Sequence, residues 1–256
     1  MSERMPALFI GHGSPMNAIE DNEYTNAWEK VANCIKKPEA IVSVSAHWFT
    51  NGTKITDSIK PEIVYDMYGF PEALYRVVYQ PDGAPKNAHE AMSLLSEAVE
   101  IDNSWGIDHG TWSVLCRMYP EADIPVFQLS IDARAGAATH FKIGRELASL
   151  RDKGVMIFGS GNVVHNLSGI NWDMAGGYPW ALEFDTYIKD SIIAGQYDNV
   201  LNYSNAGQSA ALAFHTPDHF FPLLYVLGAA GRSDRLTVFN NSCTLGTLSM
   251  TCYLFE

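Results

Sequence analysis

Eight histidines lie along the 256-residue chain, and four of them occupy one kind of position. His12 stands two residues past a short apolar run, in Gly11-His12-Gly13-Ser14-Pro15, and His47 two residues past another, in Ser45-Ala46-His47-Trp48. His165 follows a third run through the turn-prone Gly159-Ser160-Gly161-Asn162-Val163-Val164. His219 falls in the first turn of a helix whose start is signalled by Thr216-Pro217-Asp218. Side chains just past strand ends meet in the crevice of an open α/β sheet, where ligands bind. Imidazole is the commonest metal ligand and suits zinc, iron, copper or nickel. Taken singly, each of these residues is more simply a hydrogen-bonded core or loop histidine. Four with the same placement make a metal site the leading reading.

The other histidines are read against their surroundings. His89 lies beside the apolar face of a helix, a solvated position by default, and His140 sits at the entry of the next helix. His215 and His219 are four apart, but Pro217 intervenes and no Glu follows His215, so the HExxH zinc motif is absent. His109 lies in Trp105-Gly106-Ile107-Asp108-His109-Gly110-Thr111-Trp112. There Asp108 could orient or charge the ring for proton transfer or substrate binding, or the segment is a plain turn ahead of a helix opened by Thr111; spacing leaves the two level. GxSxG, GxGxxG and GxxxxGK[ST] are all missing, which argues against a nucleophile elbow and against dinucleotide or P-loop binding. Trp48, Tyr68, Phe70, Trp105 and Trp112 cluster near the histidines in sequence and could wall an aromatic ring.

The elements that must position these residues are legible as runs. Residues 7–10, 40–45, 125–129 and 155–158 are short, apolar and flanked by Gly, Pro or polar residues, as buried strands are. Helical spacing joins Ala88, Ala91, Met92, Leu95, Ala98 and Val99; it also joins Ile143, Leu147 and Leu150 ahead of a C-cap at Gly154. A third helix carries Trp180, Phe184, Tyr187, Ile188 and Ile192 and stops at Gly195. The Thr216-capped helix runs on to Gly228 or Gly231. Alternation over 247–254 predicts a half-exposed strand, antiparallel at a sheet edge. No repeat or linker interrupts the chain. The expected architecture is a single α/β domain, residues 1–256, with a mixed, mostly parallel central sheet and helices on both faces.

Composition excludes whole classes. Hydrophobic residues make up 47% and charged residues 18%, enough for a full core. A net charge of −12 attracts neither a phosphate backbone nor an anionic membrane, so nucleic-acid and membrane partners are not expected. Cys34, Cys116, Cys243 and Cys252 form no CxxC pair and read as buried reduced thiols. With no signal segment and no apolar stretch long enough to span a bilayer, a soluble cytoplasmic protein is expected.

Five of these segments, in this order and at this spread, carry a resemblance. Gly11-His12-Gly13-Ser14-Pro15-Met16, Ser45-Ala46-His47-Trp48, Asp108-His109-Gly110-Thr111-Trp112, Gly159-Ser160-Gly161-Asn162-Val163-Val164-His165-Asn166 and Thr216-Pro217-Asp218-His219 resemble the DOPA 4,5-dioxygenase-type branch of the protocatechuate-type extradiol ring-cleaving dioxygenases. The likeness runs from residue 6 to about residue 231. It implies an αβ core with one divalent metal ion per chain at one end of the sheet. It also implies a catechol, such as L-DOPA, that binds through both hydroxyls and is opened by O2 next to the diol to a muconic semialdehyde.

Position by position, the resemblance implies metal binding by His12, His47 and His219. His165 stands beside the metal as acid–base or as a fourth ligand to zinc, and His109 faces substrate and O2. Ring cleavage calls for Fe(II), since zinc cannot pass an electron to dioxygen. Yet three imidazoles suit Zn(II), which could be the ion bound on isolation, and protocatechuate-type relatives have a glutamate where this chain has His219. Arg76, Arg117 or Arg134 could pair with a substrate carboxylate. A zinc-dependent hydrolase using His165 or His109 as base, or a non-catalytic metal-binding relative, are the competing readings. Oligomeric state and the physiological catechol are open.

Overall fold

The structure is a computed structural model that describes residues 4–256. Six strands form the central sheet: β1 (Ala7–Gly11), β2 (Ala40–Ser45), β3 (Val126–Gln128), β4 (Val155–Gly161), β5 (Leu236–Phe239) and β6 (Cys252–Phe255). Their spatial order is β3-β2-β4-β1-β6-β5. The first four are mutually parallel, and β6 runs antiparallel to both its neighbours. The α/β class with a mixed, mostly parallel sheet is therefore as the sequence predicts.

Continuous apolar runs are what a strand covered on both faces needs. Ala7, Phe9, Val42, Val44, Phe127 and Ile157 point into one core, while Leu8, Ile10, Ile41, Val126, Met156 and Phe158 point into the other. The longer helices are α1 (Glu23–Cys34), α2 (Pro85–Leu94), α3 (His109–Met118), α4 (Ala137–Leu147), α5 (Pro179–Ile193) and α6 (Phe221–Ala229). The first core takes in residues of α4, α5 and α6, and the second residues of α1 and α3.

Several expectations need correction. The helix of residues 88–99 ends at Leu94, and Val99 opens a short strand paired with Thr53–Ile55. Residues 247–254 do not form a half-exposed edge strand. Only Cys252–Phe255 joins the sheet, inside the edge strand β5, and both faces are covered. The polar alternates Ser249 and Thr251 are buried because both donate to the carboxylate of Asp185 on α5. Gly228 is not a helix stop but lies inside α6. A Cβ there would sit 2.1 Å from the Phe141 carbonyl oxygen, and one on Gly144 would sit 2.2 Å from that of Tyr225. Two glycines thus let α4 and α6 cross with backbones in contact. Thr216 does not cap α6; its hydroxyl bonds Asp218, and the helix begins at Phe221 after a turn. Helix α3 begins at His109 rather than Thr111, capped by Asp108. The four cysteines are free, but Cys34 is exposed and Cys116 partly so.

Two buried polar groups yield measurable expectations. Arg151 is fully buried and clamps three segments, donating to the carbonyls of Met5, Ala229 and Phe255 and to the carboxylate of Asp234. Arg151→Met leaves Asp234 without its buried partner and is expected to lower unfolding free energy by about 3–5 kcal/mol in a denaturant titration.

His140 lies in the first turn of α4, as its place at the entry of that helix predicts. It is buried with Nδ1 2.9 Å from the Tyr225 hydroxyl, and burial pushes its pKa down to about 4. The unfolded chain binds that proton near pH 6.5 and the folded one does not, so stability is lost as pH falls from 6.5 toward 4. The loss comes to about 3 kcal/mol. In His140→Phe, the difference between unfolding free energies at neutral and mildly acid pH should shrink by that order.

Candidate metal centre

Three parallel interior strands, β1, β2 and β4, finish side by side at the carboxyl end of the sheet. In register, Ser45 of β2 lies opposite Ser160 of β4, and Gly11 of β1 opposite Gly161. The ladder continues past the strands: His12 N donates to Gly161 O at 3.0 Å, and Ala46 N to Ser160 O at 3.0 Å. His12 and His47 are thereby delivered to the same point by backbone geometry. Asn162 N donates to His219 O at 2.8 Å, and a Cβ on Gly161 would lie 2.1 Å from that same oxygen. The glycine lets the turn before α6 press directly on the strand end.

His109 arrives from the opposite core. The Asp108 carboxylate accepts from Thr111 N, which fixes the start of α3, and Thr111 Oγ1 lies 2.7 Å from Ser43 Oγ on β2. His165 is held by backbone bridging to Phe214 and Leu248. An aromatic cluster of Phe184, Tyr203, Phe214 and Phe220 backs this side of the site.

All five histidines singled out in the sequence come together. The ring centroid of His12 is 5.2 Å from His47, 6.1 Å from His109 and 5.3 Å from His219. His47 is 3.8 Å from His109 and 5.0 Å from His219, and His165 stacks on His219 at 3.4 Å and 4°. Nitrogens of His12, His47 and His109 lie within 4.8 Å of one another, a three-histidine cluster that could hold one metal ion. His89 and His140 lie elsewhere, in an ion pair with Asp57 and in the α4–α6 core. His215 is exposed and bonds Ser168.

The hydrogen bonds decide which ring nitrogens face inward. Ser160 Oγ donates to Gly110 O, so it must accept from His12 Nδ1, 2.9 Å away. His47 Nδ1 lies 3.1 Å from Asp66 Oδ2, and His219 Nδ1 is paired with Asp218 Oδ2. Each of the three rings is left with a lone pair on Nε2. The Nε2 atoms of His12 and His47 face each other at 3.4 Å, and that of His219 is buried with no hydrogen-bond partner. Lone pairs turned on one another in a buried site are the arrangement a cation satisfies. A divalent ion therefore fits the donor set.

Electrostatics agree. Burial, reinforced by the neighbouring imidazoles, holds the pKa of His12 well below 6.5, and the same causes act on His219. Burial also lowers His165, to about 4. On His47 burial opposes the charged ring but is outweighed by the hydrogen bond to Asp66 and the field of Asp108, so its pKa is raised. Both imidazoles hold the Asp66 carboxyl below its ordinary range despite burial.

Asp66 was not singled out by the sequence, because it lies in an irregular stretch, 56–71, with no motif around it. Asp108, which was, does not touch the His109 ring. Its buried oxygens accept from Ser45, Thr111 N, Gln128 and Trp105, and Asp66 Oδ1 stands 3.0 Å from His109 Nδ1 instead. Of the five aromatics, Trp48, next to His47 in the chain, stacks on Trp105 at 6.2 Å and 6°, with Trp105 anchored on Asp108. Tyr68 is 92% exposed and Trp112 is core. The three arginines proposed for a substrate carboxylate already face carboxylates: Arg76 that of Glu72, Arg117 those of Asp21 and Glu29, Arg134 that of Asp132.

Comparison with known proteins places the geometry in a family. Residues 6–255 match the catalytic LigB subunit of aromatic ring-opening dioxygenase. The chain is 47% identical over 255 residues to a 4,5-DOPA dioxygenase extradiol of Escherichia coli K12, covering 97% of this chain and 94% of the relative. It is 38% identical over 257 residues to a protein of the same name from Beta vulgaris, covering 97% and 95%. A crystal structure of an uncharacterized Escherichia coli K12 protein superposes with a TM-score of 0.87 at 43% identity, covering 99% of this chain and all of that one. With its histidines converging at the strand ends and its match running nearly end to end, the chain belongs to the LigB family of aromatic ring-opening dioxygenases.

Proposed function

We propose that this protein opens the ring of a catechol, such as L-DOPA, with O2 next to the diol, giving a muconic semialdehyde. One divalent metal ion per chain is held by His12, His47 and His219. The observation that carries this reading is the approach of the His12 and His47 Nε2 atoms to 3.4 Å, with Ser160 hydrogen-bonded to the far nitrogen of the His12 ring and Asp66 3.1 Å from that of His47. His219 is taken as third ligand because its Nε2 is buried and unpartnered while Asp218 holds its Nδ1; His109, whose nitrogen lies within 4.8 Å of those of His12 and His47, is the competing third ligand. Fe(II) bound there supplies a redox-capable centre that zinc does not.

The chain's own residues do the rest. His165, neutral at working pH because burial holds its pKa near 4, is free to accept the proton that a catechol hydroxyl must lose. His109, buried and held through its backbone N–H by Asp66, faces the substrate side. The stacked Trp48 and Trp105 supply a flat apolar wall and restrict water. The nearly full-length match supports taking residues 1–256 as one catalytic domain. Among the described residues no helix is long and apolar enough to cross a membrane, and the free cysteines accord with a cytoplasmic location, which we also propose.

The test is oxygen uptake by protein reconstituted anaerobically with ferrous iron, with L-DOPA, caffeate and protocatechuate compared side by side. Stoichiometric uptake with a yellow product from L-DOPA is expected. Full metal occupancy with no uptake over the panel overturns the proposal.

A further inference from the structure

We infer that Asp66 is a positioning residue that sets the tautomer of the His47 imidazole, and so keeps its Nε2 lone pair available to a metal ion. Its Oδ2 lies 3.1 Å from His47 Nδ1, and its Oδ1 lies 3.0 Å from His109 Nδ1 and accepts from the His109 backbone N–H at 2.9 Å. A carboxylate offers acceptors only, so the His47 ring must turn an Nδ1–H toward it; the His109 Nδ1 makes no hydrogen bond, and Asp66 holds that residue through its backbone N–H.

The loop that carries Asp66 is fixed rather than draped. Ile107 N donates to Glu62 O at 2.7 Å and Val64 N to Ile107 O at 2.8 Å, while Trp112 Nε1 donates to Val64 O at 2.9 Å. A Cβ on Gly106 would lie 2.0 Å from Glu62 O, so the loop is pressed onto the segment that leads into α3. The carboxylate is therefore held in register with the helix that supplies His109 and the strand end that supplies His47.

Asparagine separates this role from mere packing. Asp66→Asn has the same shape but one acceptor and one donor. The backbone N–H of His109 retains the acceptor on its own side, which turns the amide NH2 toward His47 Nδ1. That nitrogen must then accept, and the His47 proton moves to Nε2, aimed at the Nε2 of His12. A hydrogen bond between the two rings then competes with the ion for the same lone pair.

The inference rests on reading His47 as a ligand, but its primary readout needs neither iron nor substrate, so failure of ring opening leaves it standing. Imidazole 15N resonances of metal-free protein, recorded at about pH 9 where the rings are neutral, should show His47 as the Nδ1–H tautomer in wild type and as Nε2–H in Asp66→Asn. Zinc affinity measured by calorimetry should fall roughly 10- to 100-fold, with little change in melting temperature. His47 found as Nε2–H in wild type overturns the inference whether or not the variant folds. So does an Asp66→Asn protein that keeps the Nδ1–H tautomer and binds zinc within about twofold of wild type.

Discussion

His12→Ala is expected to leave the protein without bound metal and without ring-opening turnover. The His12 ring is 1% exposed and is oriented by Ser160, whose own proton is committed to Gly110 O. Alanine leaves both a missing ligand and a buried hydroxyl without its donor. His47→Ala should behave alike. Metal content by elemental analysis after reconstitution checks both, and one equivalent retained in either refutes the site. The same assay ranks His219 against His109: His219→Ala should lose metal, and His109→Ala should keep it and lose turnover.

The second large effect belongs to His165. Replacement by alanine should lower turnover by about 100- to 10,000-fold, the usual range for a positioned proton-transfer group, with metal retained. Its ring lies flat on His219 at 3.4 Å, so the two rings do not point at one spot end-on as two ligands of one ion would. Steady-state oxygen uptake together with metal analysis decides the matter. Loss of metal in His165→Ala makes it a ligand, and unchanged turnover removes it from the chemistry.

The sheet strands were legible because strands buried on both faces need uninterrupted apolar runs, and 7–10, 40–45, 125–129 and 155–158 are such runs. Helix α1 and strand β5 were missed. The first was legible all the same, since Tyr24, Trp28, Val31 and Ala32 share one helical face behind the Asn22 cap, whereas the second is half-buried on the edge of the sheet. The C-terminal segment was misread because Ser249 and Thr251 look like solvent-facing residues until Asp185, more than sixty residues away, is seen to receive them.

Sequence alone picked out five imidazoles that converge in the fold, three past strand ends and two at helix starts, since such an address holds whatever surrounds it, and the five motifs in order carry the family resemblance. Which nitrogen of each ring faces the centre was decided only by tertiary structure. That choice belongs to partners remote in the chain: Ser160 for His12 and Asp66 for His47. A tautomer is set by the group on the far side of the ring, and local sequence carries no trace of it.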